Sequence, residues 1–379
     1  MTAIVTTEES LESTLDTGSG TRRQLVVGEY AFETGGFLPE VELAYETWGR
    51  LDSGASNAVL VTHALTGDAH VSRGDSDYDG WWEDFVGPGK AIDTEKYFVV
   101  AVNIIGGCNG STGPGSADAN GVAWGSRFPF TTIKDSVHLE TRLADALGIE
   151  AWHTVIGGSM GGARALEWAV LYPQRVRNLV VMAACAQATA EQIGFAQVQS
   201  QSIRLDPHFA GGDYYGTGHA PDAGLGVARR LAHLTYRSEA ELQARFGRAG
   251  QRTEDPLGAA SWPRGRYMVE SYLDHQAAKL TRRFDANSYL VLTEALMSHD
   301  VARGFESLEH ALGRLANVNT VIAAVSSDRL YFPEQSEQLA ALIPGAGPVC
   351  YIDSPIGHDG FLTDANQLAG VLSQRVFTD

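Results

Sequence analysis

A single Gly-x-Ser-x-Gly, Gly157-Gly158-Ser159-Met160-Gly161, sits between a short apolar run, Thr154-Val155-Ile156, and a stretch where Met160, Ala163, Leu166 and Val170 recur at helical spacing. That placement constrains the fold strongly. A strand must turn directly into a helix over the serine, and the flanking glycines leave room where the two backbones nearly touch. With 42 glycines in 379 residues the pentapeptide alone carries little weight. Its position between strand and helix carries the argument: it predicts a strained turn that lifts the Ser159 hydroxyl above a sheet.

A serine hydroxyl is a weak nucleophile until an imidazole takes its proton, and the imidazole needs a carboxylate to fix its tautomer. In α/β-hydrolase architectures the chain order is serine, then an acid after a late strand, then a histidine near the end. Thr320 to Val325 reads as a buried parallel strand and is followed by Ser326-Ser327-Asp328. Val349 to Ile352 reads as another, followed by Gly357-His358-Asp359-Gly360. Both candidates fall just past the carboxyl ends of strands, where open α/β sheets place their sites. Asp353 and Asp359 compete as the acid, but they share the segment of His358, whereas Asp328 has the separate post-strand position. The expected triad is Ser159, Asp328 and His358.

Acyl transfer also needs donors for an oxyanion. One is expected from the backbone N–H of Met160, the residue after the nucleophile. The other is expected from Leu65, in His63-Ala64-Leu65-Thr66-Gly67, where the apolar strand Ala58-Val59-Leu60-Val61-Thr62 opens into a loop.

The wider pattern predicts an α/β chain in three parts. Residues 26–185 are read as alternating strands and helices that begin a mostly parallel sheet, with further buried strands at Tyr97 to Asn103 and Leu179 to Met182. Residues 186–318 interrupt it with a connection far longer than a crossover requires. Helical spacing there covers Gly226 to Thr235, Ala240 to Arg245, Tyr267 to Thr281 and Tyr289 to Ser298, with turns at Gly211-Gly212 and Gly216 to Gly218. This segment is read as a helical lid over the site, and residues 319–379 as completing the sheet. Residues 1–25, rich in Thr, Ser and Glu, lack the basic start and apolar core of a signal peptide and are expected to be a mobile tail.

A net charge of −18 argues against nucleic acid and anionic membranes as partners, and no apolar stretch is long enough for a membrane helix. The three cysteines, Cys108, Cys185 and Cys350, have no metal-ligand spacing and cannot all pair with one another. Cys185 and Cys350 lie in apolar runs and are expected to be buried thiols. The reading is a cytoplasmic protein with neither metal nor bound cofactor.

Longer stretches carry a family resemblance. They are Tyr45-Glu46-Thr47-Trp48-Gly49, His63-Ala64-Leu65-Thr66-Gly67, Gly80-Trp81-Trp82, Gly87-Pro88-Gly89-Lys90-Ala91-Ile92-Asp93, and the glycine-rich run from Asn103 to Pro114. The turn around Ser159, Phe284-Asp285-Ala286-Asn287-Ser288-Tyr289 and His358-Asp359-Gly360-Phe361-Leu362 complete the set. In this order, over roughly residues 25 to 375, the chain resembles the homoserine O-acetyltransferases, acyltransferases of the α/β-hydrolase fold. The resemblance implies a two-stage transfer in which Ser159 takes an acetyl group from acetyl-CoA and passes it to the hydroxyl of L-homoserine. The product, O-acetyl-L-homoserine, would feed methionine synthesis. The resemblance maps a carboxylate-binding arginine onto Arg229, with Arg230 as the neighbouring alternative, and its companion tyrosine onto Tyr236. Asp359 would meet the substrate amino group. It also implies a homodimer joined through lid helices. The same scaffold could instead use succinyl-CoA or serine, act as an esterase, or serve as a non-catalytic binding protein.

Overall fold

A computed structural model describes residues 17–258, 262 and 264–378 of the chain. Its strands are β1 (Thr17–Ser19), β2 (Arg23–Ala31), β3 (Phe37–Arg50), β4 (Ala58–Thr62), β5 (Val86–Gly87), β6 (Ile92–Asp93), β7 (Phe98–Val102), β8 (Trp152–Gly158), β9 (Val176–Met182), β10 (Asn319–Val325) and β11 (Cys350–Ile352). Nine form one sheet in the order β1-β3-β7-β4-β8-β9-β10-β11, with β2 paired to β3. From β7 to β11 every pairing is parallel, while β1, β2 and β3 run antiparallel. The fold is α/β, with a mostly parallel central sheet.

The parallel strands are apolar on both faces because both are covered. Along β4, Ala58 and Leu60 enter one core while Val59 and Val61 enter the other. In β7, Phe98, Val100 and Val102 face the first core and Val99 and Ala101 the second. These runs lack polar alternation, which is why they read as buried strands from sequence.

The helices are α1 (Ile133–Ala146), α2 (Met160–Leu171), α3 (Ala190–Arg204), α4 (Asp222–Tyr236), α5 (Glu239–Phe246), α6 (Met268–Thr281), α7 (Ala286–Met297), α8 (Leu308–Gly313), α9 (Pro333–Leu342), α10 (Gly360–Thr363) and α11 (Ala369–Arg375). Helices α4 to α7 match the helical spacing read between residues 226 and 298 to within a few residues. Helix α3 was not anticipated, since its apolar residues split between exposed Ile193 and Val198 and buried Ala196 and Ile203. Its signal is instead the capping box: the Thr189 hydroxyl accepts from Gln192 N–H, and the Gln192 side chain accepts from Thr189 N–H. Gly211, Gly212, Gly216 and Gly218 all have positive φ, as turns between lid helices require.

Three expectations need correction. The expected tail over 1–25 is too long. Residues 1–16 lie outside the described residues, but β1 pairs Thr17 to Ser19 with Arg50 to Trp48, and β2 starts at Arg23. The expected alternation of strand and helix from residue 26 also fails. The chain first makes an antiparallel β2–β3 pair, and its first α-helix among the described residues is α1. Glycine- and aspartate-rich loops fill the intervening connections. Cys185 is buried as expected, but Cys350 is only half-buried, because β11 lies at the sheet edge.

Candidate active site

Ser159 sits between β8 and α2 with φ 58° and ψ −126°, a strained conformation for a residue with a side chain. Its N–H donates to Met182 O at 3.0 Å, tying the turn to the end of β9. The glycines are required by close approach. A Cβ on Gly157 would collide with the Thr62 hydroxyl and the Gly161 backbone, and one on Gly161 would collide with the Thr62 carbonyl. Thr62 Oγ1 itself lies 2.8 Å from Gly161 O and 3.1 Å from Ile156 O, bridging strand and helix beneath the serine. Sequence reading missed this role of Thr62, which ends an otherwise apolar strand.

Past β10, Asp328 is buried. Its Oδ1 accepts from the N–H groups of Leu330 and Tyr331 at 2.8 and 2.9 Å. Its Oδ2 accepts from His358 Nδ1 at 2.6 Å. That bond fixes the tautomer, so Nε2 is the nitrogen able to take a proton. His358 Nε2 is buried without a hydrogen-bond partner among the described residues. Burial pushes the His358 imidazole toward neutrality, but the charge and hydrogen bond of Asp328 outweigh it and hold its pKa above the ordinary value. Asp353 is not the partner of His358, because it accepts from Ser326 Oγ at 3.2 Å.

Two residues that pack on His358, Tyr236 and Tyr331, share one cavity with Ser159. Ser159, Leu65, Tyr236, Leu330 and Tyr331 line it. The rings of Tyr331 and Tyr236 pack on His358 with centroids 5.1 and 5.8 Å away. Phe361 links the two loops: its ring centre is 5.3 Å from that of His358, and the ring fills the space a Cβ on Gly158 would take.

Leu65 borders the serine, and Met160 opens α2, where N–H groups lack intrahelical acceptors. The loop carrying Leu65 is pinned by His63. Its Nδ1 donates to Ala64 O at 2.8 Å and its Nε2 accepts from Ile104 N–H at 3.1 Å. Burial drives its pKa to about 3, so this imidazole stays neutral. Sequence reading placed His63 only within a motif; its partner lies at the end of another strand.

Arg229 and Tyr236, both on α4, lie near Asp359, whose N–H donates to Tyr236 O at 3.3 Å. The Arg229 guanidinium stands 5.7 Å from the Tyr236 ring centre, and its Nη1 is 3.4 Å from Thr66 Oγ1. Its Nε is buried without a partner among the described residues. Arg230 is committed elsewhere, donating to Asp274 at 2.9 and 3.2 Å. Asp359 is held by Arg237, 3.3 Å away, which sequence reading did not single out. Burial raises the Asp359 pKa, and the charges of Arg237, His358 and Arg229 only partly offset it. Arg237 follows Tyr236 directly and also lies 3.8 Å from Glu241, four residues on, but Asp359 is on a distant loop, so that contact leaves no local signal.

The arrangement brings together a serine at a strained turn, an imidazole held by a carboxylate, and an arginine and a carboxylate near Tyr236. Among the described residues, no three His, Cys, Asp or Glu side chains are placed to hold a metal ion. No helix among them is long and apolar enough to cross a membrane.

The model of the α/β-hydrolase fold family matches residues 57–365. A homoserine O-acetyltransferase of Thermobifida fusca is 52% identical over 360 residues, spanning 94% of this chain and 93% of that protein. The crystal structure of homoserine O-acetyltransferase from Bacillus anthracis superposes with a TM-score of 0.86 at 28% identity, covering 95% of this chain and 98% of that one. An acetylester hydrolase from Corynebacterium glutamicum reaches 0.79 at 27% identity, covering 95% of this chain and 97% of that one.

Proposed function

Because this chain belongs to the α/β-hydrolase-fold family and, within it, to the homoserine O-acetyltransferases, we propose that it moves an acetyl group from acetyl-CoA to the hydroxyl of L-homoserine through Ser159. The observation that carries the reading is the Asp328–His358 hydrogen bond, with the rings of Tyr236 and Tyr331 packed on His358 and lining the cavity that holds the strained Ser159.

In the first half, His358 Nε2 takes the Ser159 proton as Oγ attacks the thioester carbonyl. The N–H groups of Leu65 and Met160 receive the oxyanion. Collapse breaks the carbon–sulfur bond, His358 returns the proton to the departing thiolate, and the acetyl group remains on Ser159. In the second half, Arg229 holds the homoserine carboxylate, with Tyr236 beside it, and Asp359 meets the ammonium. His358 then deprotonates the homoserine hydroxyl, which attacks the ester carbonyl. Collapse restores Ser159 and yields O-acetyl-L-homoserine. Water competes for the same ester, so a lid over 186–318 that orders the acceptor favours transfer over hydrolysis.

Ile193, Val198 and Leu205 on and just past α3, with Val227 on α4, are exposed, and this apolar surface supports a homodimer joined through the lid. The free thiols of Cys108, Cys185 and Cys350 support a reducing compartment, the cytoplasm.

The test is thiol release from acetyl-CoA or succinyl-CoA with L-homoserine, L-serine or no acceptor. The expected result is release that requires acetyl-CoA and homoserine together. A succinyl or serine preference moves the substrate assignment, and equal release without an acceptor makes the protein an esterase.

A further inference from the structure

Two arginines reach the same residue from the lid. Arg229 approaches the hydroxyl of Thr66, and Arg283, just past α6, donates from Nη1 to the Thr66 carbonyl at 2.9 Å. Thr66 follows Leu65, which lines the cavity with Ser159. The two guanidiniums therefore flank the loop that leads to the nucleophile. Neither has a carboxylate within ion-pair distance among the described residues, although the chain carries 46 acidic residues.

Their settings differ. Arg229 is half-buried, with its Nε buried and without a partner among the described residues. Arg283 is exposed, and so are its neighbours Lys279 and Arg282. A guanidinium carries five N–H donors, and Arg283 spends only Nη1 on Thr66. Its Nε–Nη2 edge has no partner among the described residues, and that edge grips a phosphate through two parallel bonds. Both guanidiniums approach Thr66, so their like charges oppose one another. An added anion would relieve the repulsion between the two arginines.

The net charge of −18 sharpens the point. A coenzyme A thioester is itself an anion, so the protein's overall field opposes its approach, and binding must depend on local cations. We infer that Arg283 is the docking point for a phosphate group of the acyl donor, which enters over Thr66 with its thioester toward Ser159, leaving Arg229 to the acceptor carboxylate. This rests on the reading that the donor is a coenzyme A thioester.

The experiment compares acetyl-CoA with S-acetylpantetheine, which has the same thioester and no phosphate, in wild type, Arg283→Gln and Arg283→Lys. The expected result for Arg283→Gln is a KM for acetyl-CoA raised about tenfold or more. Its use of S-acetylpantetheine should match wild type, and its KM for homoserine should not move. Arg283→Lys should recover part of the loss, because it keeps the charge without the two-bond edge. An equal fall with both donors overturns the inference and leaves Arg283 as a prop for the Thr66 carbonyl. A raised homoserine KM with an unchanged acetyl-CoA KM overturns it in favour of an acceptor anchor. A wild type that ignores acetyl-CoA overturns the donor reading as well, which separates the two failures.

Discussion

The loops past β4, β8 and β10 and the helices between β9 and β10 line one cavity together but treat their polar groups differently. On the sheet side the polar groups, His358 Nε2 excepted, are committed to one another. Asp328 accepts three hydrogen bonds, His63 uses both ring nitrogens, and Thr62 bridges β8 to α2 under Ser159. On the lid side several buried polar atoms have no partner among the described residues: Arg229 Nε, His233 Nε2, Arg237 Nε and Glu241 Oε2. A saturated network fixes geometry, whereas unspent buried donors and acceptors cost free energy unless something else satisfies them. Under the proposed mechanism bond-making belongs to the loops past the strand ends and recognition to the helices between β9 and β10, so changes in the first should act on kcat and changes in the second on KM.

The largest expected effect is at the serine. Ser159→Ala should lower kcat by about 10⁴-fold or more while leaving the thermal midpoint unlowered, because it removes the hydroxyl and keeps the turn. Normal turnover by that variant would end the covalent mechanism. Asp328→Asn should lower kcat about 10³- to 10⁴-fold with little change in the homoserine KM, since an amide cannot hold the imidazole in the same protonation state. A loss confined to KM would break the division between the two sides.

Next comes the lid. Arg229→Ala should raise the homoserine KM about 30- to 100-fold and change kcat far less, the size expected for a charge-assisted pair of hydrogen bonds. An unmoved KM would remove Arg229 from the acceptor site. The pH profile tests the sheet side more gently. A base must be neutral to take a proton, and Asp328 holds His358 above its ordinary pKa of 6.5. The acid limb of kcat/KM should therefore inflect above 6.5, with activity falling as pH drops through it. An inflection below that value would mean that burial outweighs Asp328.

The smallest effect is expected at Arg237, whose charge most opposes the effect of burial on Asp359. Arg237→Met should raise the Asp359 pKa further, so that more of it is protonated as pH falls. Acceptor steady-state kinetics should show the homoserine KM rising about 2- to 5-fold at neutral pH and more in acid. A pH-independent change would make Arg237 a packing residue.

The sequence alone determined the parts whose signals are local. Apolar runs marked β4, β7 and β10 because strands covered on both faces need apolar residues throughout. Glycines at 157 and 161 marked the turn because the backbones of strand and helix leave no room for a Cβ. Chain order was enough to nominate Ser159, Asp328 and His358. The tertiary structure decided what depends on partners far apart in the chain. It placed Asp328 on His358 while giving Asp353 to Ser326, aimed Arg229 at Thr66 while giving Arg230 to Asp274, and paired Arg237 with Asp359. It also drew 17–25 into the sheet, where β1 has only three residues and no apolar pattern to announce it. The physical reason is range. Periodicity and backbone crowding act between near neighbours and are written residue by residue, whereas which charge faces which is fixed only when packing brings distant segments together.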